Sequence, residues 1–172
     1  MPMNTRSTLA LALVAGSLAL SACSKKAPAS LPPDPGGAVS TDTSGQNQGP
    51  VPGSQADFAA QMMGQDTILF DTDRYNIDSA DQQALAAQSV WLAKYPAKRI
   101  TIEGHCDERG TREYNLALGE RRANAAKNYL VSLGIDAGRI TTVSHGKERP
   151  LALGSDEDSW AKNRRAVTVT ID

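Results

Sequence analysis

The stretch GHCDERGTREYNLALGERRANAAKNYL, residues 104–130, holds the junction on which the fold turns. Its first two residues close an alternating run, Arg99 to His105, that sets Ile100 and Ile102 on one face of a strand. Thr111 then stands as a helix N-cap. Behind it, Gly119, Ala123, Ala126, Leu130 and Leu133 recur at helical spacing until Gly134 takes the C′ position. Working upstream, Thr67 to Phe70 reads as a short apolar strand ending in a polar loop, Asp71 to Asp78. Ser79 with Gln82 forms a capping box for a helix that runs to Tyr95, before Pro96. Downstream, Arg139 to Ser144 reads as a third strand and Asp156 to Asn163 as a short helix. Arg165 to Ile171 is the last strand, with Val167, Val169 and Ile171 on one face. The order β-α-β-α-β-α-β argues for helices packed on one sheet, with the loops after the first two strands at the same end.

The first 56 residues have a different composition. Met1 to Ala22 carries one charge, Arg6, then an apolar run from Leu9 to Leu20 that is short of the roughly 20 residues needed to span a bilayer. This reads as a secretory signal over 1–22. It ends Leu20-Ser21-Ala22-Cys23, small residues before a cysteine, the pattern of a bacterial lipoprotein cleavage site with Cys23 as the lipidated residue. Acyl chains on Cys23 give stable membrane anchoring. Ser24, where Asp would signal retention under enteric sorting rules, favours the outer membrane. The 33 residues from Ser24 to Ala56 hold six prolines, five glycines and five serines. Such a segment buries too little to offset its ordering entropy, so 23–56 reads as a lipidated tether and 57–172 as the folded domain. As a coil the tether reaches roughly 30 Å, and on the order of 110 Å fully extended.

With 18 Lys+Arg against 19 Asp+Glu the formal charge is −1, which lacks the electrostatic footprint of a nucleic-acid binder. Aromatics at 5% leave few platforms for stacking single strands. Three chemistries compete for the polar stretch after the second strand. A thiol enzyme would need Cys106 beside a base, but neighbours on a strand point to opposite faces, which separates Cys106 from His105. A metal site from His105, Asp107, Glu108 and His145 lacks the compact ligand spacings of zinc or calcium sites. No metal or cofactor is therefore expected. A binding site rests on the helical wheel. With Asn115 at zero, Arg122 falls at about −20° and the apolar stripe at about +40°, whereas Arg121 falls at about −120°, in solvent. Arg122 thus borders the core with its stem buried and its fork aimed at a cleft edge, where it suits a carboxylate. Asp107 ends the second strand and Asp73 lies in the loop after the first, at the sheet end where α/β proteins bind ligands. Arg on one side and Asp on the other suit an α-amino acid group. The same spacing equally fits an internal Asp107–Arg122 ion pair that braces the helix. Glu103, Glu108, Arg109, Arg112 and Glu113 read as solvated residues.

The 104–130 stretch, with the later SHGKERP and KNRRAV, closely resembles the OmpA-like peptidoglycan-binding domains, and the leader and tether resemble those of their lipid-anchored members. The resemblance implies an α+β sandwich, β-α-β-α-β-α-β, with helices packed on one mixed four-stranded sheet. It further implies a non-enzymatic protein that binds the diaminopimelate of the peptidoglycan stem peptide. The motif's Asp and Arg fall on Asp107 and Arg122. Asp73, Thr111, Asn115, Leu118 and Arg164 should line the same pocket. TolB, as a partner in the Tol system that draws the envelope inward at division, is implied by resemblance alone. Cys106 departs from the family pattern, which has Ala or Thr there. The rival reading is a lipid-anchored hydrolase of the cell wall that uses Cys106 or an acid pair.

Overall fold

The structure, a computed structural model, describes residues 49–171. The signal segment, Cys23 and the tether as far as residue 48 lie outside the described residues. The elements run α1 (Gln55–Met62), β1 (Thr67–Leu69), α2 (Ser79–Lys94), β2 (Arg99–His105), α3 (Arg112–Ser132), β3 (Ile140–Gly146), α4 (Glu157–Asn163) and β4 (Arg165–Ile171).

The sheet order is β1-β4-β2-β3, with β2 and β3 parallel and β4 antiparallel to both its neighbours. The sheet is therefore mixed and the fold is α+β. Strands β1, β2 and β3 share one direction, so the loops after β1 and β2 do emerge at one end. The crossover through α2 skips a strand position, which β4 fills on its return.

Where α3 lies on β2, two glycines meet. A Cβ on Gly104 would overlap the Gly119 carbonyl, and one on Gly119 would meet Ser144 Oγ and the Gly104 carbonyl. This seam brings the helix backbone onto the strand and sets the depth at which Arg122, one turn later, reaches the sheet end.

Several local expectations shift. Helix α1 opens at Gln55, inside the stretch assigned by composition to the tether. Ser54 caps it by accepting the Asp57 N–H (3.1 Å), and the helix buries Phe58 and Met62 completely or nearly so. Phe58 packs edge-on against Trp91 at 4.9 Å, and Trp91 donates to Asp57 (3.1 Å). The N-cap of α2 is Asp78, not Ser79. Its carboxylate accepts the Ala80 and Asp81 N–H groups at 2.8 Å each, while Asp81 accepts the Asp78 N–H at 3.2 Å. An ionised acceptor outcompetes the neighbouring hydroxyl for those donors. Strand β3 starts one residue later, after a 3-10 turn at Ala137–Arg139, and runs on to Gly146. Leu133 is the C-cap of α3 and is 41% exposed; Ile135 fills the core beneath it.

Val167, Val169 and Ile171 do share one face of β4, and the other face is the one the helices cover. Ala166, Thr168 and Thr170 point to the helices, and Val167, Val169 and Ile171 to the uncovered side of the sheet. The threonines are accommodated by hydrogen bonds. The Thr168 hydroxyl donates to buried Gln88 (2.7 Å), and Gln55 accepts from both the N–H and the hydroxyl of Thr170 (2.6 and 2.9 Å).

Candidate functional site

The loops after β1 and β2 and the first turns of α3 enclose a cleft of about 240 Å³. Five residues expected from the sequence line it: Asp73, Asp107, Asn115, Leu118 and Arg122. Thr72, Cys106, Arg109, Gly110 and Tyr114 complete the wall. Thr111 stands outside the lining. Its hydroxyl caps α3 on the Tyr114 N–H (3.2 Å). Arg164 is also outside, on a second cleft of about 200 Å³, yet it reaches Asp107 from behind at 3.4 Å.

Arg122 is fully buried. Its Nε donates to the Arg74 carbonyl (2.9 Å), Nη1 to that of His105 (2.8 Å) and Nη2 to that of Asp71 (3.1 Å), and its guanidinium lies 5.2 Å from the Phe70 ring. One side chain thus ties both cleft loops to α3. None of the ion pairs among the described residues includes Arg122. The helix-bracing Asp107–Arg122 pair is therefore not formed. Burial lowers the arginine from its usual range, which marks a charge short of compensation. Three of its five N–H donors serve carbonyls, and the guanidinium also meets the Cys106 thiol, which leaves a donor on the terminal nitrogens for a ligand.

Asp107 is instead paired with Arg109. Its Oδ1 accepts the Arg109 N–H and Nε (3.1 Å each), and its Oδ2 accepts Arg109 Nη2 (2.6 Å) and Arg164 Nη1. Burial pushes this carboxyl up, but those donors outweigh it and hold it below the usual carboxylate range. Arg109, expected in solvent, lies 4.2 Å over the Trp160 ring and touches Thr72 Oγ1 (3.3 Å). Nothing in the spacing of 107 and 109 singled it out, because adjacent loop charges are ordinarily solvated. Trp160 is in turn fixed to Glu108 (3.0 Å).

Asn115 works from below the loop. Its Nδ2 donates to the carbonyls of Arg109 (2.7 Å) and Thr111 (3.0 Å), which holds the turn through Gly110, φ 88°. Asp73 adopts a left-handed φ of 55°, a region Asp tolerates, and accepts from the Tyr114 hydroxyl at 3.2 Å. Cys106 is buried and donates to the Asn115 carbonyl (3.3 Å), and burial raises its thiol to about 11.

The residues weighed for a metal site are dispersed. His105 and His145 leave the cleft and approach Glu103 Oε2 at 3.6 and 3.5 Å, with ring centroids 5.2 Å apart. Asp107 stays in the cleft and Glu108 faces Trp160. Among the described residues no group of three side chains could hold a metal ion. His105 is buried without a hydrogen-bond partner on either ring nitrogen. Burial, then the Arg165 and His145 charges, lowers it to about 4, with Glu103 opposing.

Comparison with known proteins places this geometry. Residues 69–164 match the model of the OmpA family. The peptidoglycan-associated lipoprotein of Rhizobium meliloti (strain 1021) is 50% identical over 165 residues, covering 95% of this chain and 88% of that protein. The protein of the same name from Mesorhizobium japonicum is 46% identical over 164 residues, 95% of this chain and 92% of the relative. The crystal structure of the peptidoglycan-associated lipoprotein from Burkholderia pseudomallei superposes with a TM-score of 0.60 at 46% identity, over 61% of this chain and 89% of that one.

Proposed function

From the chain's membership of the OmpA family and, within it, of the peptidoglycan-associated lipoproteins, we propose that it is an outer-membrane lipoprotein whose domain binds peptidoglycan from the periplasm without covalent attachment. The observation that carries this reading is Arg122, a buried guanidinium with a donor to spare, in a cleft that also holds two carboxylates. A ligand carboxylate on Arg122 supplies the charge its surroundings lack. A ligand ammonium belongs at Asp107 or Asp73. An amino acid head group satisfies both demands, and the diaminopimelate of the stem peptide presents one at the free end of its side chain. Leu118 gives the methylene chain an apolar wall.

Acyl chains on Cys23 hold the outer membrane, the segment between Cys23 and α1 leads toward the wall, and TolB meets the domain as part of the Tol system at constriction. Many weak grips on one continuous polymer add up by avidity. The domain is read as a binding module, and the surroundings of Cys106 speak against the thiol hydrolase. A thiol raised to about 11 is protonated at neutral pH, and Cys106 gives its proton to a backbone carbonyl with no base beside it.

The test is co-sedimentation of the full chain with purified sacculi, wild type beside Arg122→Lys, with circular dichroism confirming the fold. Wild type pellets and the folded lysine variant does so at least tenfold less well. Equal pelleting of the two removes Arg122 from the grip. Release of muropeptides that Cys106→Ser abolishes would reinstate the hydrolase.

A further inference from the structure

Asp107 has no acceptor site to spare. An ionised carboxylate offers about four lone-pair positions, and four donors of this chain converge on it: the Arg109 N–H, Arg109 Nε, Arg109 Nη2 and Arg164 Nη1. A ligand ammonium can bond to Asp107 only by replacing one of them. The four are not equally replaceable. Arg164 has a side chain only 7% exposed and is held on two further sides, by the Phe70 carbonyl (2.9 Å) and Glu157 (2.6 Å). The Arg109 N–H belongs to a loop fixed by Asn115 and by Lys147, whose Nζ donates to the carbonyls of Glu108 (3.0 Å) and Gly110 (2.7 Å). The Arg109 side chain is 39% exposed, and away from Asp107 it has one long hydrogen bond to Thr72 and the face of Trp160.

We propose that Arg109 is a resident competitor for the ammonium group of the ligand, one that holds Asp107 until a second cation displaces it. The inference rests on the binding reading given above and adds what an arriving ammonium must displace. Exchange of guanidinium for ammonium keeps Asp107 neutralised throughout, so a ligand that carries the cation restores what it removes. A ligand without an ammonium gains nothing at Asp107 and leaves Arg109 in place. The indole of Trp160 lies under the guanidinium in the paired position and remains in reach after the exchange, which keeps the displaced charge partnered. Arg109 therefore lowers affinity for every ligand whose cation must reach Asp107.

The test titrates the full chain, wild type and Arg109→Gln, by NMR with meso-diaminopimelate and with pimelate, the same seven-carbon dicarboxylate without amines. Arg109→Gln binds meso-diaminopimelate about threefold or more tightly than wild type, and pimelate shows no gain. Arg109→Lys, which keeps the charge but cannot fork onto the carboxylate, moves in the same direction by less and covers the case in which the glutamine variant does not fold. Unchanged or weaker diaminopimelate binding in the variants overturns the competitor role while leaving the site reading intact. So does an equal gain for pimelate. Failure of wild type to bind meso-diaminopimelate at all overturns the site reading itself, and the competitor with it.

Discussion

Gly104→Ala puts one methyl group into the seam between α3 and β2, and the outcome can be worked through from the structure. The new Cβ would overlap the backbone carbonyl of Gly119, an atom with no rotamer to escape into. To restore van der Waals contact, α3 must retreat from the sheet by about 1 Å or more. Overpacking of this kind costs about 1–3 kcal/mol, and the upper end applies because both sides of the clash are backbone. In a domain of this size that lowers Tm by about 5–15 °C. Binding should suffer more than stability, because Arg122 sits one turn beyond Gly119 and donates to His105, the residue after Gly104. Gly134→Ala is the control. It adds a methyl at φ +94° where nothing lies within 4 Å, so it meets only the left-handed penalty of about 1 kcal/mol. Differential scanning calorimetry of both variants, with sacculus binding measured below Tm, reads the comparison. If Gly104→Ala melts within 3 °C of wild type, or loses less than Gly134→Ala (about 3 °C being the resolution of ~1 kcal/mol), the seam is not the close contact on which this reasoning depends.

Further outcomes follow from the same interactions. His105 is held neutral in the fold at about 4 but takes a proton near 6.5 when unfolded. Its stabilising contribution is thus complete above pH 6.5 and is lost as pH falls toward 4, by about 3 kcal/mol. Urea unfolding across that range should show the slope in wild type and a flatter one in His105→Leu; equal slopes would exonerate the histidine. In a Cys23→Ser background, Cys106 should react with iodoacetamide at pH 8 only on the timescale of unfolding, since its thiol stays protonated until about 11; rapid labelling of the native protein contradicts the burial. A chain that begins at Gln65 lacks α1, hence buried Phe58 and Met62, and should lose about 3–5 kcal/mol by thermal melting. An unchanged Tm would make α1 an ornament of the fold.

The regular elements were legible wherever one short-range signal sufficed. Periodicity over Gly119 to Leu130 and the glycine at 134 defined α3 because a helix face and its C′ residue are local properties. Which side of the sheet the valine face of β4 takes was not legible. Val167, Val169 and Ile171 form the more apolar alternate set, yet the helix side takes Thr168 and Thr170, whose hydroxyls find glutamines 80 and 115 residues away in the chain. Helix α1 was missed because its Ser54 cap and first two residues fall in the Pro- and Gly-rich segment, and the six that follow are too few to show a helical period. At the site, the wheel located Arg122 correctly beside the core but could not show that it would bind three loop carbonyls in preference to Asp107. Which cation Asp107 takes depends on the turn through Gly110, set by Asn115 from the next helix, and no spacing along the strand reports that.

The position of α1 has a mechanical consequence. Gln55 is bonded to Thr170 near the far end of β4, whereas the cleft lies beyond Arg165 at the other, about 17 Å away along the strand. Tension drawn through the chain N-terminal to α1 against a load seated in the cleft runs parallel to the strands. The ladder bonds on both sides of β4 stand perpendicular to that line, so they are sheared together and cannot be unzipped one at a time. So long as α1 stays docked, a domain loaded in this direction resists through the whole ladder at once.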